Sequence, residues 1–183
     1  MHEEIVIAGF GGQGVLFAGQ LLAYAGLAEG RHVTWIPSYG PEMRGGTAHC
    51  TVVISDEPIG SPLVRHPSAA LILNAPSLAQ YAPAVKAGGV LVTDSTLISG
   101  RSNRSDLREI DLPAKEIAYE LGNPQIANVV MLGALVSATG VVQLQTIERV
   151  LEQHIGARHR DALEPNKRAL ARGAEYAREK VPA

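Results

Sequence analysis

Residues 5–26 read IVIAGFGGQGVLFAGQLLAYAG. An apolar run leads into Gly9, Gly11 and Gly14 at G-x-G-x-x-G spacing, with Gly12 and Gln13 between them, and an Ala/Leu-rich stretch follows. Few local patterns constrain a fold more. Glycines between a strand and a helix allow a tight turn, and they bring backbone N–H groups and a helix N-terminus close to an anion. The spacing leaves three uses open: a dinucleotide, another phosphate-bearing ligand, or packing of strand on helix. A nicotinamide dinucleotide site would add a carboxylate about 20 residues on, at the end of the second strand, for the ribose 2′-hydroxyl. Here that strand ends Ile36-Pro37-Ser38, with Glu29 before it and Glu42 in the next loop, which counts against NAD.

The rest of the chain repeats the alternation. Apolar or β-branched runs predict strands at Glu4–Ala8, His32–Ile36 (ended by Pro37), Thr47–Ser55, Ala69–Asn74, Val90–Thr93 and Leu107–Asp111. Helical spacing covers Gln13–Glu29, Pro76–Val85 and Pro113–Leu121. Asn123-Pro124 has the order of an N-cap and a first-turn proline, launching Gln125–Thr139. That helix is apolar almost all round and so is expected to be buried. Thr146–Ile155 and Ala157–Lys180 complete a charged helical C-terminus. Strands alternating with helices predict an α/β domain, residues 1–183, with one doubly wound, mostly parallel, Rossmann-like sheet.

Composition narrows the functions. A formal net charge of −2 and 4% aromatic residues give no basic surface or stacking platform for nucleic acid. No apolar run approaches the roughly 20 residues of a membrane span, and Met1-His2-Glu3-Glu4 is unlike a signal peptide; a cytoplasmic location is expected. Cys50 is the single cysteine, so this chain offers neither a disulfide nor the thiolates of an iron–sulfur cluster. The six histidines lack metal-ligand spacing, and His154 and His159 read as a wet helix face. No metal site is expected. Nucleophile elbow, P-loop, H-E-x-x-H and Cys-x-x-Cys motifs are absent, as is a Gly-Asp-Gly for thiamine diphosphate, so no catalytic residue is assigned.

A second constellation is PSYGPEMRGGT, residues 37–47. Ser38, Tyr39, Arg44, Gly45 and Gly46 follow the carboxyl end of a strand, where open α/β sheets bind ligands. Arg44 could pair with a phosphate or carboxylate while Gly45-Gly46 supply N–H donors; alternatively Arg44 braces the loop through Glu42 or docks on another subunit. Asn128 is the lone amide of the apolar helix, either satisfied by a loop carbonyl or facing a ligand. Asp94-Ser95-Thr96 suits an Asx-type turn or a crevice contact. Cys50 alternates with core positions and reads as an inert, half-buried thiol.

Three segments, GFGGQG, SYGPEMRGGTAHCTVVISDEPIGSP and LPAKEIAYELGNPQIANVVMLGAL, resemble the gamma subunits of the 2-oxoacid:ferredoxin (acceptor) oxidoreductases, from about Ile5 to Gly140. The second segment is most similar to the 2-oxoglutarate branch; the branched-chain 2-oxoacid branch has a near-identical loop. Thr93-Asp94-Ser95 departs from the Asn-Ser-Ser type of turn expected there. The resemblance implies coenzyme A-dependent oxidative decarboxylation of a 2-oxoacid to acyl-CoA and CO₂, with electrons passing to ferredoxin. It implies alpha and beta partner subunits holding thiamine diphosphate and Mg²⁺, iron–sulfur clusters in partner chains, and in some complexes a ferredoxin-like delta subunit. It associates the gamma chain with assembly and with the coenzyme A side of the site. On that basis Gly9, Gly11, Gly12, Gln13, Gly14, Ser38, Tyr39, Arg44, Gly45, Gly46 and Asn128 are the expected cofactor-contacting residues.

Overall fold

The computed structural model describes residues 1–38, 47–155 and 161–180. In chain order the elements are β1 (His2–Phe10), α1 (Val15–Ala28), β2 (His32–Ser38), β3 (Thr47–Ser55), β4 (Ala69–Ile72), α2 (Ala75–Tyr81), β5 (Val90–Asp94), β6 (Arg108–Leu112), α3 (Ala114–Glu120), α4 (Ala127–Thr139), α5 (Leu144–His154) and α6 (Leu163–Lys180). The strands form one sheet in the order β2-β3-β1-β4-β5-β6. β1, β4, β5 and β6 run parallel, whereas β3 lies antiparallel to both β1 and β2.

The alternation therefore gives a mixed sheet with one reversed strand. Its cause is the length of a connection. Only residues 39–46 separate β2 from β3, and a parallel crossover needs a dozen or more. β3 consequently turns back and inserts between β2 and β1. Pro37 does not end β2, which pairs through Ser38 opposite His49. β2 is an edge strand, where a missing N–H need not break a ladder.

The two faces of the sheet are covered unequally. Ile5, Ile7, Cys50, Val52, Ile54, Leu71, Val92 and Ile110 pack with α1 and α4 in the larger core. Val6, Ala8, Ala70, Ile72 and Leu91 meet Leu78, Ala82 and Val85 on the other face. Residues 127–136 of α4 are all buried, as its uniform apolarity requires: the sheet lies beneath it, and α6 crosses above. At that crossing a Cβ on Gly133 would overlap the Leu170 carbonyl oxygen, and one on Gly173 would overlap that of Val130. The two helices thus touch backbone to backbone. Tyr176 Oη ties α6 to β6 by donating to the Asp111 carbonyl at 3.1 Å.

Two boundaries differ locally from the sequence pattern. Asn74 caps α2 by accepting the Ser77 N–H at 2.8 Å, so β4 closes at Ile72. Asn123 accepts the Gln125 N–H at 3.0 Å, and a 3₁₀ turn over Pro124–Ile126 precedes α4.

Candidate functional site

In an open sheet the ligand crevice lies where successive crossovers leave to opposite faces. Here that point is between β1, which feeds α1 on the larger-core face, and β4, which feeds α2 on the other. The glycine loop sits there. Gln13 holds its shape: its N–H donates to the Phe10 carbonyl at 3.2 Å, its Oε1 accepts the Phe10 N–H at 2.6 Å, and its Nε2 donates to the Leu73 carbonyl at 3.1 Å. The Gln13 side chain thereby pins the turn to the end of β4.

The glycines divide by role. Gly9 is packed, since a Cβ there would lie 2.6 Å from Gln13 Oε1 and 2.9 Å from Leu73 Cβ. Gly14 is left-handed at φ +76° and crowded by Asn128, whose Nδ2 donates to the Gly14 carbonyl at 3.1 Å. Gly12, at φ +91°, faces open space: a Cβ added there would meet nothing within 4 Å. Gly11 is half-buried within the turn.

No side chain caps α1, and Ala18 is the first residue whose N–H reaches back to the Gly14 carbonyl. The N–H groups of Val15, Leu16 and Phe17 therefore have no acceptor within the helix, and they give this end its partial positive charge. The space beside the loop is a cleft of about 270 Å³ lined by Gly12, Gln13, Leu73, Leu97, Lys115, Pro124, Gln125 and Ala127. An open turn near the positive end of α1 and a lysine make it suited to an anion.

The other candidates are dispersed. Ser38 ends β2, separated from β1 by the whole of β3. Tyr39, Arg44, Gly45 and Gly46 lie outside the described residues, as do Glu42 and His159. Asn128 is buried, and the one bond to its amide nitrogen goes to the loop carbonyl. Asp94 forms the Asx-type turn: Oδ1 accepts the Thr96 N–H at 3.0 Å and its hydroxyl at 2.6 Å. Glu29 accepts the Gln143 N–H at 2.7 Å beyond the far end of α1, away from any ribose position at this cleft. His154 stacks on Tyr24, ring centroids 4.2 Å apart. Among the described residues no group of three His, Cys, Asp or Glu side chains could hold a metal ion, and no helix is long and apolar enough to cross a membrane.

Sequence reasoning missed Lys115, Leu97 and Gln125. Each follows the carboxyl end of a parallel strand or begins a helix at that same rim. The signal was available in the predicted strand Leu107–Asp111 and the helix after Pro113, which put Lys115 on the ligand side of the sheet.

Cys50 is fully buried beneath α1 with its thiol directed at the Val15 carbonyl, 3.7 Å away. Burial pushes its pKa up to about 12. At pH 8 only about one thiol in 10⁴ is then ionised. A disulfide reagent such as DTNB is expected to leave the native protein unlabelled for hours and to titrate one thiol at once in denaturant; rapid native labelling would contradict this placement.

The pattern of the family described as Pyruvate ferredoxin/flavodoxin oxidoreductase matches residues 4–176. Ketoisovalerate oxidoreductase subunit VorA of Methanothermobacter thermautotrophicus is 43% identical over 97% of this chain, which spans 37% of that relative's length. 2-Oxoglutarate synthase subunit KorC of Methanocaldococcus jannaschii is 36% identical over 98% of this chain and 96% of its own. The gamma subunit of a keto/oxoacid ferredoxin oxidoreductase from Geobacter sulfurreducens has a similar crystal structure, with TM-score 0.82 and 32% identity over 96% of this chain and 98% of that one. The fold also recurs, with TM-score 0.90 but 23% identity, across all of this chain and 32% of a Magnetococcus marinus 2-oxoglutarate:ferredoxin oxidoreductase solved with 2-oxoglutarate, coenzyme A and succinyl-CoA bound. With most of its length matched and relatives of its own size among the gamma-type subunits, this chain belongs to the pyruvate ferredoxin/flavodoxin oxidoreductase family.

Proposed function

We propose that this chain is the gamma-type subunit of a cytoplasmic 2-oxoacid:ferredoxin oxidoreductase of the 2-oxoglutarate type, and that its glycine loop receives the phosphates of coenzyme A. In the assembled enzyme 2-oxoglutarate and coenzyme A give succinyl-CoA and CO₂, and two electrons leave for ferredoxin. Thiamine diphosphate, Mg²⁺ and the iron–sulfur clusters belong to alpha, beta and any ferredoxin-like delta partners. The gamma chain supplies binding groups and surface for assembly, with Arg44 as a second cationic group.

One observation carries the coenzyme A assignment: the open Gly12 turn beside the uncapped amides of α1, facing a cleft at the switch point. Coenzyme A bound in the Magnetococcus enzyme, whose fold this chain shares, is consistent with that use. KorC and the segment ISDEPIGSP favour 2-oxoglutarate. The 43% identity to VorA favours a branched-chain 2-oxoacid instead. Turnover of 2-oxoglutarate against 3-methyl-2-oxobutanoate by the natively purified complex separates the two, and mass identification of the co-purifying chains tests the subunit assignment.

The cradle is tested by Gly12→Asp in that complex. At φ +91° any side chain here strains the backbone, but it meets nothing within 4 Å. Gly12→Asn carries the same strain, so the difference between the two variants is the carboxylate's repulsion of a phosphate. The KM for coenzyme A is expected to rise at least about tenfold, a loss of roughly 1.4 kcal/mol, while neutral Gly12→Asn changes it far less. Equal KM values for Gly12→Asp and wild type, with the complex intact, would remove coenzyme A from this loop.

A further inference from the structure

The cleft does not end at Lys115. A second cavity of about 430 Å³ continues along α3, lined by Thr96, Lys115, Glu116, Tyr119, Glu120 and Pro124. Lys115 and Pro124 belong to both cavities.

The residues of α3 explain why the inner and outer spaces differ. Ala114, Ile117 and Ala118 are buried and anchor the helix. Lys115 and Tyr119, four residues apart, share a face directed away from that core. Tyr119 is 74% exposed, the most exposed large apolar side chain among the described residues. No salt bridge among the described residues engages Lys115. The inner cavity thus offers the open Gly12 turn and the Lys115 ammonium, while the outer one offers an aromatic face and Pro124. Together they exceed the lower size limit of small-molecule sites, about 300 Å³.

We propose that this double cavity recognises the nucleotide half of its ligand: phosphate is held between the Gly12–Gln13 turn and Lys115, and an adenine-like ring lies on Tyr119. The proposal rests on the coenzyme A reading and deepens it by naming Lys115 and Tyr119 as the residues that select a nucleotide-bearing thiol. Lys115 contributes a charge-assisted hydrogen bond to phosphate, and Tyr119 contributes stacking. Glu116 and Glu120 line the outer cavity as well, and their charge disfavours phosphate there. The anionic end is thereby directed inward.

The test uses the assembled complex, with adenosine 3′,5′-bisphosphate as a probe competing with coenzyme A. Lys115→Gln is expected to raise both the KM for coenzyme A and the Ki of the probe about tenfold with kcat unchanged, and Lys115→Arg to restore most of the loss. Tyr119→Ala is expected to weaken both about fivefold, and Tyr119→Phe to restore them. A purely structural role for these side chains would lower the melting temperature without moving the Ki.

Unchanged KM and Ki in both Lys115→Gln and Tyr119→Ala would overturn the proposal. If Gly12→Asp still raises the coenzyme A KM in that case, the loop reading stands without Lys115 and Tyr119. If it does not, the coenzyme A reading falls with them.

Discussion

Gly173→Ala is expected to lower the melting temperature by about 6–12 °C. The added Cβ would overlap the Val130 carbonyl oxygen, lie 2.7 Å from that carbonyl carbon and 3.1 Å from the Ala134 amide nitrogen. All three atoms belong to the α4 backbone, so no side chain can rotate aside. Relief requires α6 to lift, which loosens Ala169, Leu170 and Ala177 from the larger core. Overpacking of this kind costs about 3 kcal/mol, and for a domain of this size each kcal/mol shifts the midpoint by roughly 2–4 °C. Gly60→Ala is the control, since a Cβ there meets nothing within 4 Å. Thermal unfolding followed by circular dichroism reads both variants. A Gly173→Ala midpoint within about 2 °C of the control would contradict so close a crossing.

Gly14→Ala is expected to cost about 2–4 kcal/mol and to weaken coenzyme A use. Two causes combine. The residue sits at φ +76°, a left-handed conformation unfavourable for alanine, and the new Cβ would overlap Asn128 Nδ2 and lie 2.8 Å from Asn128 Cγ. Asn128 is buried, so displacing it from the Gly14 carbonyl strands its amide among apolar neighbours. The second part of this penalty depends on Asn128 being present. Chemical denaturation of Gly14→Ala, Asn128→Ala and the double variant should therefore show the double variant losing less than the sum of the two. Strict additivity would mean that the contact contributes nothing.

Much of this architecture is legible in the residues alone. The β-branched run of Thr47–Ser55 and the turn residues after it bound β3 correctly, and α4 announces its burial through an apolar sequence without a polar stripe. The neighbours of β3 are less visible, because residue patterns report a strand's faces rather than its position in the sheet. The clue is the length of a connection, with residues 39–46 too few to cross the sheet. At the cleft, the glycines identify the loop and its place. Which of them is open and which is packed is not encoded locally, because it depends on Gln13 reaching Leu73 and on Asn128 arriving from 114 residues away. Lys115 is fainter still: a single lysine on a short helix carries no motif, and its only signal is its place just after the strand Leu107–Asp111.

The burial of α4 has a consequence for biosynthesis. All six strands are translated before the helix that roofs α4, so the emerging polypeptide carries an oily rod that water would reject until residues 163–177 leave the ribosome. Burial of α4 therefore waits on a segment made after all six strands, and a chain halted before residue 163 would leave that helix without its cover.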